Sequence, residues 1–309
     1  MIGSSQKITA VRDYLSQVAR FNSHVLLTGE TGTGKELAAA LVHERSPRAS
    51  HPFISLNCAA IPETLFESEL FGHEKGTFTG ADSMRGGLFA AANRGTVFLD
   101  EVGEMPLTAQ SKILRVLENR EIQRLGSSRP HSVDIRVVAA TNQSLEELVG
   151  QGKFRSDLFY RLNIARVHLP PLRERKEDIP GLIAHFLTVL NDQMGREVVG
   201  MEPDVRDCLM DYDWPGNVRE LKNVLEATLL TIRSSVIGFK DLPDQYQTRF
   251  SRIRAAPFQE RERLVSVLAT TNWNVSKAAK QLDWSRMTVY RKMEKYGLDR
   301  PPVAHILSL

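Results

Sequence analysis

The sequence predicts an α/β domain built on a parallel sheet with flanking helices, followed by a small helical domain and a terminal all-α module. Three observations predict this. Short β-branched apolar runs alternate with amphipathic helical stretches over roughly the first 170 residues. Pro170-Pro171 breaks that alternation, and helical spacing dominates the remainder of the chain.

HVLLTGE (24–30), FISLN (53–57), TVFLDE (96–101) and IRVVAATN (135–142) read as strands, too short and too β-branched for buried helices. Between them, KELAAALVHERS (35–46) and TAQSKILRVLENRE (108–121) place apolar residues at helical spacing. Beyond the proline pair, 176–195 and 217–233 do the same. DLPDQYQTRFSRIRAAPF (241–258) is polar, proline-bounded and without sustained periodicity, and reads as a linker. The expected limits are 1–170 for the α/β subdomain, 171–242 for the helical subdomain, 243–257 for the linker and 258–309 for the terminal module.

With 309 residues, 42% of them hydrophobic and 25% charged, the chain can bury two or three domain cores. Cys58 and Cys208 stand far apart without metal-ligand spacing, which excludes a disulfide scaffold or zinc module and fits a reducing cytoplasm. No run approaches the roughly 20 apolar residues of a membrane span, and MIGSSQKITAVRDYLSQ has no signal-peptide core. The net charge of +3 is too small to imply nucleic-acid binding, but from Ser251 onward eleven Lys or Arg face five Asp or Glu. The basic character sits at the carboxyl end.

GETGTGK (29–35) follows the apolar run VLL and opens a helix. Gly29, Glu30, Thr31, Gly32, Thr33, Gly34 and Lys35 therefore read as a phosphate cradle: the glycines let backbone amides approach a phosphate chain, and Lys35 reaches the β- and γ-phosphates. The next position should be Ser or Thr for magnesium, yet it is Glu36, so the metal must depend on another acid. Asp100 ends an apolar strand where ligands of parallel sheets bind, and Glu101 beside it suits the base that polarises an attacking water. Asn142 and Asn57 close two other strands; each is either a turn residue or an amide aimed at the γ-phosphate.

GTFTGA (76–81) is a Gly-bounded turn or loop around one phenylalanine. Phe78 either tucks into a core or is held out for a partner.

At the end of the chain, TTNWNVSKAAKQLDWSRMTVYRKMEKYGL (270–298) reads as two helices joined by a short turn. Ala278, Ala279 and Leu282 form one apolar set and Val289, Met293 and Leu298 another. Ser285 is placed to cap the second helix. Arg286, Thr288, Tyr290, Arg291 and Lys292 would then face the major groove of double-stranded DNA or its phosphates.

Taken together, these motifs resemble the ATPase core of the sigma-54-dependent transcriptional activators, a branch of the AAA+ ATPases, over nearly the whole chain. GETGTGKE is similar to the family's phosphate loop including its glutamate. FISLNCAAIPETLFESELFGHEKGTFTGA looks like its long insertion, and FRSDLFYRLN, PLRERKEDI and WPGNVREL match its later signatures. The terminal segment resembles the family's Fis-type helix-turn-helix, with Asp283 where glycine is usual in the turn.

The resemblance implies an AAA+ sheet and helical lid, with Asn57 as a switch coupled to Glu101 and Asn142 as the first sensor. Arg219 is implied as the lid arginine on the nucleotide. Arg155 and Arg161 would reach a neighbouring subunit's site, so hydrolysis would need a ring, a hexamer, with dimeric DNA-binding modules. Gly76, Thr77, Phe78, Thr79, Gly80 and Ala81 would contact sigma-54 RNA polymerase, Thr77 replacing the usual alanine.

A receiver or sensing domain is expected ahead of such a core, which begins near Met1. Control by a separate regulatory protein or by expression level, and removal of that domain, both stay open. Two other functions share these motifs: a DNA-binding regulator that keeps the nucleotide domain for oligomerisation or regulation without remodelling sigma-54, and an unfoldase, which the terminal DNA module disfavours.

Overall fold

The structure, a computed structural model, describes residues 1–77 and 81–298, and of 252–260 the backbone alone. Two compact units divide the chain: Met1–Val199 with Asp213–Thr231, and Gly200–Tyr212 with the chain from Ile232 onward.

In the first unit the central sheet has five parallel strands: β1 Val25–Thr28, β2 Phe53–Asn57, β3 Thr96–Asp100, β4 Arg136–Thr141 and β5 Ala165–His168. Their spatial order is β2-β3-β4-β1-β5, so β4 lies between β3 and β1. All four of the expected strands form. β1 and β4 are buried along their whole length, as a sheet covered by helices on both faces requires. Alternation distributes one strand between two cores: Val97 and Leu99 join one cluster with Leu26, Val137 and Ala139, while Phe98 joins the other with Val25, Leu27, Val138 and Ala140.

One charged residue interrupts this apolar sheet. Arg136 opens β4 with 0% exposure, and its guanidinium donates to the carbonyls of Ser23 (3.1 Å), Ala19 (3.0 Å) and Val18 (3.0 Å). These acceptors include the carboxyl end of the helix Gln6–Ala19, where the helix dipole favours a cation. Burial pulls Arg136 down to about 10, which leaves it charged at neutral pH.

Next to it, His24 Nδ1 accepts the Val137 N–H at 3.1 Å. Burial first, then the charges of Arg161 and Arg136, lower its pKa to about 4 from 6.5. The unfolded chain takes up this proton near pH 6.5 and the folded chain only near 4. The associated stability is therefore complete above about pH 6.5 and disappears as the pH falls toward 4, a loss on the order of 3 kcal/mol. Urea unfolding at pH 7 and pH 5 should show about 2 kcal/mol of this loss in the native chain and less in His24→Gln.

Helices Ile179–Met194 and Asn217–Thr231 pack against each other, and Leu182, Ile183 and Leu187 of the first and Leu221, Val224 and Leu225 of the second are buried. Both belong to the unit that holds the sheet, whereas 200–212 belongs to the second unit.

The linker expected at 243–257 is corrected by the structure. It lies inside one helix, Asp244–Thr270. Tyr246 and Phe250, one turn apart and 7% and 0% exposed, pack on Tyr212 with ring centroids 6.4 and 5.5 Å from it. Polar residues dominate 244–252 around this stripe, and Pro257, a residue that normally ends a helix, sits within the span, so the pattern hides the helix. Among the described residues no helix is long and apolar enough to cross a membrane.

Candidate functional site

The phosphate loop starts where β1 ends. Gly29, Gly32 and Gly34 have φ of 149°, 79° and 103°, values that L side chains avoid. A Cβ on Gly29 would lie 2.7 Å from the Leu169 carbonyl, and one on Gly32 would lie 2.3 Å from that of Gly216. No side chain caps the helix Lys35–Glu44, so its first-turn amides stay open to an anion. Lys35 is 7% exposed; its Nζ donates to the carbonyls of Gly29 (2.9 Å) and Glu30 (3.3 Å) and lies 4.0 Å from Glu101 Oε1. Burial lowers its pKa, and Glu101 and Asp100 oppose that shift.

Placing β4 between β3 and β1 sets Asp100–Glu101, Asn142 and the phosphate loop side by side at the carboxyl edge of the sheet. Asp100 Oδ1 accepts the Glu101 N–H at 3.0 Å. Glu101 itself adopts φ 50°, an uncommon conformation for a residue other than glycine. Its Oε2 accepts the Asn142 N–H at 3.3 Å, and Asn142 Nδ2 donates to Thr31 Oγ1 at 3.1 Å.

Beside them lies a cavity of about 550 Å³ lined by Thr31, Gly32, Gly34, Lys35 and Glu36 from the loop, Asn57, Asp100 and Glu101 from strand ends, and Phe186 and Arg219 from the helical layer. Gly29, Glu30, Thr33 and Asn142, also expected to bind nucleotide, lie outside this lining. The hydroxyl of buried Thr33 donates to the Glu30 carbonyl at 2.8 Å. The Glu30 carboxylate is taken by Arg173 (2.6 and 2.8 Å) and Asn217 (3.1 Å), whose hydrogen bonds hold it down to about 2.

No hydrogen bond joins Asn57 to Glu101 here; Asn57 Oδ1 accepts the Ala59 N–H at 2.9 Å and caps its own turn, which leaves the amide N–H₂ as the donor for a carboxylate. Cys58 beside it is buried, which pushes its thiol up to about 12 and removes thiolate chemistry from the site.

Arg219 reaches the cavity because the helix Asn217–Thr231 begins on the loop: Val218 N–H donates to the Gly32 carbonyl and Asn217 Nδ2 to that of Thr31, both at 3.0 Å. Asn217 is fully buried at φ 53°. Sequence reasoning misses it and Arg173; the polar run PLRER and the asparagine of WPGN are their signals. Arg155 and Arg161 do not line the cavity of their own chain. Arg155 forms a two-point pair with Asp157 (3.1 and 2.7 Å), and Arg161 donates to the Leu117 carbonyl at 3.0 Å.

Among the described residues no group of three or more His, Cys, Asp or Glu could hold a metal ion. Asp100 and Glu36 supply cavity oxygens only, a set that fits a hard cation bound largely by water and phosphate.

Phe78, Thr79 and Gly80 lie outside the described residues, and the neck around them is tight. Gly72–His73 pairs antiparallel with Arg85–Gly86, and the Gly76 N–H donates to the Ala81 carbonyl at 2.9 Å. Ala81, expected to contact a partner, is 4% exposed and closes this neck. Thr77 Oγ1 donates to the carbonyls of Glu74 (2.6 Å) and Leu125 (3.3 Å), tying the neck to the hairpin of Glu121–Gln123 and Pro130–Ser132. Thr77→Ala should speed exchange of the Gly76 amide, by up to about tenfold for one lost hydrogen bond.

In the second unit, helices Val275–Leu282 and Arg286–Lys295 share a core of Leu264, Leu268, Ala278, Ala279, Leu282 and Val289. Asp283 adopts φ 57° in the turn, as a residue replacing glycine there must. Ser285 Oγ accepts the Thr288 N–H at 3.0 Å, the expected cap. Arg286, Tyr290 and Arg291 are exposed; Thr288 and Lys292 are half-buried, the latter with Nζ 5.8 Å from the Trp284 ring centroid. Opposite the buried Val289 the helix presents Met287, 75% exposed, which the sequence pattern does not single out.

The sigma-54 interaction domain family matches residues 1–168, the AAA+ ATPase lid domain family 173–256 and the Fis family of bacterial regulatory proteins 255–296. Regulatory protein AtoC of Escherichia coli (strain K12) is 44% identical over 92% of this chain and 65% of its own length. The DNA-binding transcriptional regulator NtrC of Salmonella typhimurium is 42% identical over 97% of this chain and 70% of its own. The chain thus spans about two thirds of the length of these relatives. Crystal structures of NtrX from Brucella abortus in complex with ADP and with ATP share 32% and 33% identity, each with TM-score 0.76, covering 96% of this chain and 70% and 69% of theirs.

Proposed function

The chain belongs to the sigma-54-dependent transcriptional activators of the AAA+ class, and from that premise we propose that it is a magnesium-dependent ATPase that works as a hexameric ring in the cytoplasm and remodels sigma-54 RNA polymerase. The observation that carries this reading is the convergence of Lys35, Asp100, Glu101 and Arg219 on one cavity at the carboxyl edge of a parallel sheet.

Lys35 exchanges the carbonyls of Gly29 and Glu30 for the β- and γ-phosphates, and the first-turn amides hold the same anion. Glu101 takes the proton of the attacking water, and Asn142, bonded to Glu101 and to Thr31, reports the γ-phosphate to both. Magnesium, held by Asp100 with help from Glu36 through water, would neutralise the developing phosphate charge. Arg219 closes the lid over the nucleotide, and Arg155 and Arg161 of a neighbouring copy complete the site. The 76–81 loop carries the motion to sigma-54 with Phe78 at its tip.

The terminal module docks Arg286–Lys295 in the major groove, as a dimer on a two-fold site. Met287 is then the apolar group facing base edges, able to contact a thymine methyl. Met287→Ala should lose about tenfold discrimination at one base pair with an unchanged salt slope, as read by binding to single-base variants of a selected site.

Open-complex formation on a sigma-54 promoter with ATP, for the native chain and for Phe78→Ala and Glu101→Ala, tests the whole reading. Activity in the native chain and loss in both variants supports it. ATP hydrolysis by a native chain that never opens the promoter overturns it in favour of a regulator that does not remodel sigma-54.

A further inference from the structure

A buried polar path runs from the first residues of the chain to the phosphate loop. Asp178, 1% exposed, accepts the N–H groups of Ser4 and Ser5 on Oδ1 and the Ser5 hydroxyl on Oδ2, each at 2.7 Å. Gly3 adopts φ 137° beside it, and a Cβ there would sit 2.7 Å from the carboxylate, so only glycine permits this approach. Ser5 also accepts the Ile8 N–H at 3.3 Å and so starts the first helix. One short turn earlier, the Arg175 carbonyl accepts the Asp178 N–H at 2.9 Å, and the Arg175 guanidinium, 3% exposed, donates to the Thr33 carbonyl of the phosphate loop at 3.0 Å. Within the same turn Leu172 N–H donates to Asn217 Oδ1 at 2.7 Å, and Arg173 grips Glu30.

Two buried ionic groups in one turn thus hold, on one side, the backbone of residues 4 and 5 and, on the other, the loop that would cradle the phosphates. Asp178 supplies the negative charge that keeps Arg175 charged in a low-dielectric interior. Arg175 in turn fixes the Thr33 carbonyl next to Gly34, whose geometry opens the first helical turn to an anion.

We propose that Arg175 and Asp178 are positioning residues through which the Gly3–Ser5 segment sets the geometry of the phosphate loop and so tunes nucleotide affinity. This rests on the nucleotide reading of the cavity. Withdrawing Ser4 and Ser5 from Asp178 leaves a carboxylate without its three donors; the carboxylate turns toward Arg175, and Arg175 releases the Thr33 carbonyl. A displacement of a few ångströms at the start of the chain then reaches the γ-phosphate position without contact between the two.

The test is ATP binding, by titration of a fluorescent ATP analogue with magnesium, and steady-state ATPase kinetics on the full chain. Asp178→Asn places an amide N–H₂ among existing donors, and Gly3→Ala drives a methyl into the carboxylate. Each should raise Kd and KM by about fivefold or more with kcat changed by less than about twofold, and the double variant should show less than the product of the two effects. Ser5→Ala, which removes one donor to Asp178 together with the cap on Ile8, should raise KM by about two- to threefold. Lower thermal stability in these variants with native KM and Kd overturns the proposal. A native chain that binds no ATP overturns the nucleotide reading as well, so the two failures are separable.

Discussion

Glu101→Ala is expected to abolish ATP turnover while leaving ATP binding within a few-fold of native. In the proposed mechanism Glu101 is the base, and loss of a positioned base typically costs about 10² to 10⁴ in rate. Its carboxylate lies 4.0 Å from the Lys35 ammonium and accepts the Asn142 N–H, so it is oriented before any nucleotide arrives. The strained φ of 50° at Glu101 belongs to the same orientation. Single-turnover hydrolysis together with nucleotide titration checks both halves. Weakened binding by more than about tenfold would mean that Glu101 holds the loop rather than the water.

Arg155→Ala and Arg161→Ala are each expected to reduce turnover by about 10³ or more in an assembled ring, because a guanidinium supplied in trans stabilises charge on the transferring phosphoryl group. Neither arginine lines its own chain's cavity, so each variant keeps an intact phosphate loop and base. Mixing Arg161→Ala with Glu101→Ala should restore activity at the sites that pair an intact Glu101 with a neighbour's intact Arg161. No recovery on mixing, at any ratio, would place the arginines in a structural role. The Arg155–Asp157 pair is exposed on both sides and gives little stability to oppose its release toward a neighbour.

Much of this site is legible in the sequence because it obeys local rules. The glycines of GETGTGK, the acidic pair at a strand end and the cap at Ser285 each depend on a few neighbouring residues, and each sits where the pattern places it. The features that escape depend on partners distant in sequence. Glu30 has the character of a loop residue until Arg173 and Asn217 meet it across the fold. The helix Asp244–Thr270 is hidden because Tyr246 and Phe250 meet Tyr212, a packing surface that no local periodicity announces. Met287 escapes since methionine is usually a packing residue, and only the burial of Val289 shows which face of that helix turns outward.

The insertion of β4 between β1 and β3 also fixes when the phosphate loop can exist during synthesis. Both strands that pair with β1, at 136–141 and 165–168, come after it by more than a hundred residues. At about 5 to 20 residues per second, the VLLT strand waits several seconds on the ribosome as an apolar segment with two bare edges. The amphipathic helix Lys35–Glu44, made directly after it, is the first available cover for one face. Nucleotide binding is therefore a late event in the life of each chain, and a ribosome that stalls before Ala165 leaves a product with an exposed strand and no grip on ATP.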